Sequence, residues 1–254
     1  MNEPTKSDGL AGTTAIVTGA SRGFGRGITV ALAGAGAHVV GVARTGADLD
    51  RLGAELGDAF TAVTADSADP ATACRLIDEY RPRTVVLCAG AAPTMSPLQD
   101  HSWESFSQNW NVDVAQAFNW IGHALRRPLA PGSSVIAISS GAAINGSPLS
   151  GGYAGAKATV RLVAGYAAIE SERAGLGIDF VSVLPQLTPA TDLGAKAVAA
   201  YAERQGVDVE TFVESLRPAL TAEQVGKSVL EIATRGQHDY RAYTLTSAGL
   251  SPLG

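Results

Sequence analysis

A tyrosine and a lysine four residues apart, Tyr153 and Lys157, could carry out acid–base chemistry. In a helix this spacing places both side chains on one face. A free tyrosine has a pKa of about 10, and a nearby ammonium lowers it toward working pH by stabilising the phenolate. Ser140, thirteen residues before Tyr153, could polarise a carbonyl oxygen. The alternatives are a solvated helix residue for Lys157 and an ordinary strand-end hydroxyl for Ser140, since Ser139 is equally polar.

A glycine-rich turn follows the first predicted strand, in segment 18–25. Gly19 permits a sharp turn, and Gly23 and Gly25 let a phosphate and the next helix approach the backbone closely. The helix start offers unpaired N–H groups and a partial positive charge to a pyrophosphate. An ordinary turn in a glycine-rich chain is the alternative, but the position after strand one favours phosphate binding. The residues predicted to bind here are Gly19, Ser21, Arg22, Gly23, Phe24 and Gly25.

The second predicted strand ends without an acidic residue, in Ala43, Arg44 and Thr45. In dinucleotide-binding folds an acid at this point bonds the ribose hydroxyls and repels a 2′-phosphate. Arg44 and Arg22 could instead hold a phosphate through charge-assisted hydrogen bonds, with the Thr45 hydroxyl beside them. Each arginine alone would be explained as a solvated surface residue. Their joint placement predicts NADP(H) in preference to NAD(H).

These residues lie in a chain of alternating elements. Short β-rich apolar runs are found at Thr14–Thr18, His38–Ala43, Phe60–Ala65, Thr84–Ala89, Ser134–Ser139, Ile178–Leu184 and Ala242–Thr246. Helical patterns separate them at Phe24–Gly36, Ala47–Leu56, Pro70–Tyr80, Ser102–Leu125, Gly151–Ala174, Leu193–Ser215 and Ala222–Ala233. Most of the strands are apolar on both faces, as strands covered by helices on both sides should be. The alternation predicts an α/β fold with one doubly wound, mostly parallel sheet of about seven strands.

The glycine turn, Ser140 and the Tyr153–Lys157 pair together resemble the signature of the short-chain dehydrogenase/reductase family, classical subgroup. The resemblance covers the chain to about residue 185 and is weaker beyond it. It implies an NADP(H)-dependent oxidoreductase that interconverts a carbonyl and a secondary alcohol, acting as a ketone reductase. In that role Tyr153 donates the proton, Ser140 polarises the carbonyl, and Lys157 lowers the pKa of Tyr153 and binds the nicotinamide ribose.

The same resemblance implies a domain organisation. We expect one Rossmann-fold domain over residues 11–254, behind a flexible segment 1–10, with a substrate lid over about 186–218 that closes on the substrate. A homodimer or homotetramer is implied, with contacts through the long helices 102–125 and 151–174. The sequence does not separate the two assemblies.

The resemblance also assigns a catalytic asparagine and the rest of the cofactor site. Asn111 is preferred to Asn109 and Asn119 as the residue that bends its helix and holds a water linking Lys157 to solvent. A polar helix face is the alternative for Asn111, and a strand-end cap is the alternative for Asp66, expected beside the adenine. The remaining cofactor-binding residues expected are Asp66, Ser67, Ala89, Gly90, Pro185 and Leu187.

Two residues depart from the family pattern. Cys88 stands where the family has an asparagine that ties the central strands together, so this stabilising network is in question. Gln186 stands where the family has glycine, after Pro185. Thr188 and Thr191 lie on either side of the threonine expected to contact the nicotinamide, and both assignments stay open.

Composition narrows the function classes. The 254 residues carry a net charge of −5 and the pI is near 5.4, so there is no basic excess for nucleic-acid binding. No apolar run approaches a membrane span, and no signal-peptide core or metal-ligand spacing of the four histidines is seen. Two cysteines give no disulfide framework, which predicts a cytoplasmic protein. The predicted pocket walls carry few charges, which favours a small neutral or apolar carbonyl or alcohol substrate.

Other functions are weighed by what they leave unexplained. An NAD-dependent alcohol dehydrogenase would fit the same scaffold. A non-catalytic dinucleotide-sensing module predicts a spoiled catalytic set, whereas Ser140, Tyr153 and Lys157 are all present. A methyltransferase has no use for the Tyr–Lys helix or the paired arginines. An epimerase or dehydratase would need a larger substrate domain than this chain offers.

Overall fold

The computed structural model describes residues 9–236, 238 and 241–253, and in these residues eight strands form one sheet. They are β1 (Thr14–Thr18), β2 (His38–Ala43), β3 (Phe60–Thr64), β4 (Thr84–Leu87), β5 (Ser134–Ile138), β6 (Asp179–Pro185), β7 (Ala242–Thr246) and β8 (Gly249–Pro252). Their order across the sheet is β3-β2-β1-β4-β5-β6-β7-β8. All neighbouring strands run parallel except β7 and β8, which are antiparallel.

The helices of the same residues alternate with the strands. They are α1 (Gly23–Gly34), α2 (Gly46–Leu56), α3 (Pro70–Tyr80), α4 (Trp103–Asn109), α5 (Ala115–Arg126), α6 (Ala142–Asn145), α7 (Gly151–Arg173), α8 (Asp192–Gln205), α9 (Val209–Ser215) and α10 (Ala222–Arg235). A π-helical turn over Trp110–Val114 joins α4 to α5. Short 3₁₀ turns occur at Gly57–Ala59 and Leu98–Asp100.

The chain reverses its direction of travel across the sheet between β1 and β4. From β1 it proceeds outward through β2 and β3, then returns to β4 on the other side of β1 and continues to β8. In such doubly wound sheets the ligand crevice lies at this switch point, outside the carboxyl ends of the strands. The predicted α/β fold with a doubly wound, mostly parallel sheet is therefore confirmed.

Helices cover the sheet on both faces. On one face α1 and α10 pack together, with Ile28, Leu32 and Val229 fully buried. The other face carries α3, α5 and α7, where Leu76, Trp120 and Val160 form a second cluster with the strands. Two cores on either side of one sheet explain why the central strands read as continuous apolar runs.

Two helix starts follow from local side-chain chemistry. Asp69 accepts hydrogen bonds from the N–H groups of Ala71 and Thr72 (3.1 and 3.3 Å), which lower the pKa of its carboxyl, and Pro70 opens α3. Thr221 and Gln224 exchange hydrogen bonds with each other's backbone N–H at the start of α10. Both starts were predicted from the sequence and are confirmed.

The structure differs from the sequence prediction in two long helices and in two short elements, one of which is the four-residue helix α6. The helix predicted over 102–125 is interrupted by the π-helical turn, and the one predicted over 193–215 is divided at Gly206, whose φ of 67° favours glycine. Strand β8 was not predicted; it is a short edge strand, where Pro252 is tolerated. The expected flexible segment 1–10 falls mostly outside the described residues, so the domain boundary stays a prediction. Among the residues described, no helix combines the length and apolarity needed to cross a membrane.

Candidate active site

A cavity of about 1140 Å³ opens at the carboxyl ends of the central strands. The residues predicted to bind the cofactor all line it: Gly19, Ser21, Arg22, Gly23, Phe24, Gly25, Arg44, Thr45, Asp66, Ser67, Ala89, Gly90, Tyr153, Lys157, Pro185 and Leu187. Ser140 lines the same cavity, whereas Asn111 is exposed elsewhere. Residues from seven different segments of the chain are therefore brought to one place.

The glycine turn is held tightly against β4. Gly19 has a φ of 69°, and a Cβ on it would lie 2.8 Å from the Cα of Ala89. A Cβ on Gly25 would lie 2.1 Å from the carbonyl oxygen of Gly19. Within the described part of the chain no side chain caps the start of α1 at Arg22, so its first N–H groups stay available beside the cavity. The arrangement fits a pyrophosphate bound at a helix N-terminus.

Thr18 joins β1 to the end of β4. Its hydroxyl donates to the carbonyl of Val86 (3.3 Å) and accepts from the N–H groups of Cys88 and Ala89 (2.9 and 3.2 Å). These contacts tie the central strands together, which answers the question that Cys88 raised in the sequence. Burial raises the pKa of the Cys88 thiol to about 11, against the opposing charge of Lys157, so the thiol is neutral near neutral pH.

Strand β5 delivers two serines with different partners. The Ser139 hydroxyl donates to the backbone carbonyl of Lys157 at 2.7 Å. The Ser140 hydroxyl accepts from the N–H of Ala142 at 3.2 Å and lies close enough to the Tyr153 phenol to lower its pKa. Ser140, and not Ser139, is thus the hydroxyl that faces the tyrosine.

Tyr153 lies in the first turn of α7, one turn before Lys157. The Lys157 ammonium lies 5.7 Å from the centre of the Tyr153 ring. Burial raises the pKa of Tyr153 above its ordinary value, while the charge of Lys157 and the hydrogen bond with Ser140 lower it by less. The phenol is therefore the stable form near neutral pH, which suits a proton donor.

Lys157 is fixed by two acceptors in the interior. Its ammonium donates to the carbonyl of Ile138 (3.1 Å) and lies 2.9 Å from a carboxylate oxygen of Asp113. The lysine and aspartate side chains are 7% and 1% exposed. Burial lowers the pKa of Lys157, but the charge of Asp113, the Tyr153 phenol and the hydrogen bond to Asp113 together raise it by more, so the pKa ends above its usual range and the amine stays charged.

The structure does not bring Asn111 to this site. The π-helical turn carries one extra residue, so Asp113 points inward and Asn111 outward. Asn109 is also inward, donating to the carbonyl of Ala91 (2.7 Å) and to Asp113 (3.3 Å). Asn119 bonds the carbonyl of Ala68 at 2.8 Å. The sequence signal that was missed is Asp113, a single acidic residue between two valines in a helix that was expected to pack against the rest of the domain.

The part of the cavity next to the ends of β2 and β3 is more exposed. Arg44 and Thr45 are exposed there, and Arg22 lies 3.4 Å from Asp192 at the start of α8, with both side chains about three quarters exposed. The Asp66 carboxylate accepts from the N–H of Ala68 at 2.9 Å, so its side chain caps a turn. The two arginines line the same cavity, but Arg22 has a carboxylate as a partner in this state.

Helices α8 and α9 bound the other end of the cavity. Val198, Ala202 and Phe212 form a small apolar cluster between them, and the Tyr201 hydroxyl bonds that of Ser147 before α7. The predicted lid segment is therefore helical and contacts the loop that precedes Tyr153. Its closure on a substrate stays a prediction.

Both candidate threonines in this segment have backbone partners. The Thr188 hydroxyl donates to the carbonyl of Leu220 at 2.6 Å, and that of Thr191 accepts from the N–H of Gly194 at 3.1 Å. Both residues line the cavity, as does Gln186. The choice of the nicotinamide-contacting threonine stays open.

Comparison with known proteins agrees with this geometry. The family model described as short chain dehydrogenase matches residues 13–202. L-xylulose reductase of Mesocricetus auratus is 36% identical over 130 residues, which cover 50% of this chain and 53% of that enzyme. L-xylulose reductase of Bos taurus is 30% identical over 183 residues, covering 71% and 74%. The chain thus matches about half the length of the first relative and about three quarters of the second.

Solved structures share the fold. A dehydrogenase/reductase from Sinorhizobium meliloti 1021 has a TM-score of 0.78 at 24% identity, covering 94% of this chain and 95% of that one. A 3-ketoacyl-(acyl-carrier-protein) reductase from Brucella melitensis, complexed with NADH, has a TM-score of 0.74 at 23% identity, covering 89% and 92%. At these identities the likeness establishes the architecture.

Proposed function

This chain is an oxidoreductase of the short-chain dehydrogenase/reductase family, and from that premise we propose that it is an NADP(H)-dependent reductase of small ketones. The observation that carries the proposal is the meeting of Ser140, Tyr153 and Lys157 in one cavity with the glycine turn. A proton donor, a polarising hydroxyl and a fixed ammonium are the groups that carbonyl reduction requires of a protein.

The chain's residues act on the carbonyl oxygen. The Ser140 and Tyr153 hydroxyls hold that oxygen by hydrogen bonds, which position the carbonyl and polarise it. When bound, the reduced nicotinamide supplies hydride to the carbonyl carbon. Tyr153 transfers its phenolic proton to the oxygen, the alcohol forms, and the phenolate regains a proton from solvent. The reverse sequence oxidises a secondary alcohol.

Lys157 positions the nicotinamide ribose and supplies a positive charge next to Tyr153. An ammonium has three N–H donors, and the contacts with Ile138 and Asp113 account for two of them. The third is left for the ribose of the nicotinamide half. The positive charge stabilises the transient phenolate of Tyr153 during proton transfer. The buried position of Lys157 keeps this charge unscreened by water.

The preference for NADP(H) is supported by the residues after β2. Arg44 and Thr45 are exposed at the cavity wall, Arg22 lines the same cavity, and the strand-end position is Ala43. A 2′-phosphate would meet two guanidinium groups without a strand-end carboxylate to repel it. NAD(H) is the alternative, since one structural relative was solved with NADH.

The substrate end favours a small, uncharged carbonyl compound. Met95, Ile144 and Leu187 line it together with the neutral amides of Asn145 and Gln186. Apolar walls with a few polar groups are typical of small-molecule sites. The similarity to L-xylulose reductases adds a polyhydroxy ketone to the compounds worth testing.

We also propose that the protein is a homo-oligomer, as a homodimer or homotetramer. Apolar side chains are exposed together on α5 and α7, which pack against each other: Phe118, Leu162, Tyr166 and Ile169 are each 46–63% exposed. Contiguous exposed apolar residues of this kind mark protein–protein interfaces. A second copy is the occupant proposed, because the four side chains lie on two helices that pack against each other. The cytoplasmic location expected from the sequence stays a prediction.

A cofactor titration followed by a ketone screen tests the function. We expect purified protein to bind NADPH more tightly than NADH, seen by nucleotide fluorescence and by thermal shift, and to oxidise NADPH when small ketones are added. Tighter binding of NADH would overturn the cofactor preference. Binding of neither nucleotide would overturn the proposed function.

A further inference from the structure

We infer that Asp113, through its ion pair with Lys157, is a positioning residue that limits the positive charge acting on Tyr153 and thereby sets the pH range of the reaction. The inference rests on the proposed function, because it concerns the same proton donor. Sequence reasoning gave no role to Asp113. In the structure its side chain is 1% exposed and lies against the Lys157 ammonium, whose side chain is 7% exposed.

Both carboxylate oxygens of Asp113 face hydrogen-bond donors. One carboxylate oxygen, Oδ1, lies 2.9 Å from the Lys157 ammonium. The other, Oδ2, accepts from the N–H of Ala91 at 2.9 Å and from the Asn109 side chain at 3.3 Å. A carboxylate accepts at both oxygens, whereas an asparagine would turn its NH₂ toward either an ammonium or an N–H group. The site is therefore built for an ionised carboxylate.

Glycine at position 90 belongs to the same arrangement. A Cβ on Gly90 would lie 2.7 Å from Oδ1 of Asp113. The absence of a side chain at Gly90 thus lets the carboxylate reach Lys157 beside the cavity. The Asp113 side chain thereby helps to fasten the loop that follows β4 to the π-helical turn.

The two charges that face Tyr153 are of opposite sign. Lys157 carries a positive charge, Asp113 a negative one, and Cys88 and Ser140 are neutral neighbours, since burial keeps the Cys88 thiol protonated. A lysine without a carboxylate partner would pull the phenol toward its ionised form much more strongly. With the partner present, Tyr153 keeps its proton and Lys157 keeps its place.

The pH dependence follows with a definite sign. Reduction of a ketone needs Tyr153 protonated, so its rate falls as pH rises through the pKa of Tyr153. Oxidation of an alcohol needs the phenolate, so its rate rises through the same pKa. Burial and the negative charge of Asp113 raise that pKa. The fall of the reduction rate and the rise of the oxidation rate therefore both move toward alkaline pH.

Asp113→Asn tests the inference through pH profiles of kcat/KM in both directions. We expect the profiles for reduction and for oxidation both to move to lower pH by about 1 unit, because one nearby charge changes the pKa of a buried group by about that much. Asp58→Asn removes the same charge from an exposed position outside the cavity and should leave the profile unchanged. Superimposable profiles for wild type and Asp113→Asn would overturn the inference.

A second measurement needs neither turnover nor the Asp113 variant. The ionisation of Tyr153 is read from the phenolate absorbance of wild type minus Tyr153→Phe, without nucleotide, as pH is raised. We expect Tyr153 to ionise at a higher pH than a free tyrosine, because burial and the charge of Asp113 raise its pKa. Ionisation of Tyr153 near pH 7–8 would overturn the inference even if Asp113→Asn fails to fold.

The two measurements also separate this inference from the proposed function. A protein that reduces ketones but ionises Tyr153 near neutral pH keeps its function and loses the role given to Asp113. A protein that turns over no ketone, yet ionises Tyr153 at a higher pH than a free tyrosine and about 1 unit lower in Asp113→Asn, keeps the role of Asp113 as a charge partner and loses the reaction.

Discussion

The Ser139 hydroxyl donates a 2.7 Å hydrogen bond to the backbone carbonyl of Lys157. The bond fastens the end of β5 to the second turn of α7, and both partners are buried. Because Ser139 is used in this way, the next serine, Ser140, is the one left to meet Tyr153. The relative placement of the three catalytic candidates thus depends on a residue that performs no chemistry.

Removal of the Tyr153 hydroxyl should abolish most of the turnover. We expect Tyr153→Phe to lower kcat by about a hundredfold to ten-thousandfold, the usual contribution of a general acid, while Kd for NADPH stays nearly unchanged. Steady-state kinetics and nucleotide titration measure the two effects. Tyr166→Phe is a matched control, because Tyr166 lies exposed on the same helix. Equal activity of the two variants would exclude Tyr153 as the proton donor.

The arginine after β2 should matter for one nucleotide only. We expect Arg44→Ala to weaken NADPH by about tenfold to a hundredfold, the range for a lost hydrogen bond to a charged group, and to leave NADH nearly unaffected. Titrations with both nucleotides measure the ratio. Arg75→Ala on α3 serves as the control, since Arg75 pairs with Glu79 far from the cavity lining. An equal loss for both nucleotides would contradict the 2′-phosphate assignment.

The hydroxyl of Thr18 should be worth more to stability than that of another buried threonine. Thr18→Val leaves the N–H groups of Cys88 and Ala89 without their acceptor, and we expect a loss of about 1–3 kcal/mol in the free energy of unfolding. In Thr29→Val the carbonyl of Gly25 keeps its place in the helical hydrogen-bond ladder, so the loss should be smaller. Denaturant unfolding compares the two. A larger loss for Thr29→Val would contradict this account.

A charge on the exposed apolar face of α5 should dissociate the oligomer. Phe118 is 63% exposed, and we expect Phe118→Glu to convert the proposed homodimer or homotetramer to a smaller species in light scattering coupled to size exclusion. Val209→Glu, exposed on α9, should leave the assembly unchanged. A wild-type protein that runs as a monomer would exclude the proposal.

The sequence predicted the sheet well because its strands are apolar on both faces and its turns carry strong local signals. Strands β1, β2 and β7 and helix α3 have the bounds predicted. The start of α3 at Asp69–Pro70 depends only on neighbouring residues, so it could be read directly. The edge strand β8 was missed because four residues with a proline carry too little periodicity.

The candidate site was predictable where a residue's place depends on its own element. Ser140, Tyr153 and Lys157 lie at element ends, and each lines the cavity. Asn111 was chosen by its family spacing to Ala115, Ala117 and Phe118, but the structure leaves it exposed outside the cavity lining, because the helix changes its winding within Trp110–Val114. The ion pair of Asp113 with Lys157 joins two helical segments that are far apart in the sequence, and no local sequence pattern predicts such a contact.

The π-helical turn has a consequence for how this chain can change by mutation. Each residue of an α-helix rotates the chain by about 100°, so the loss of one codon within 110–114 would restore regular winding and rotate α4 against α5. Both helices would survive, but a different side chain would face Lys157. The deletion of a single residue at this point would therefore change the charge next to Lys157 while the fold is retained.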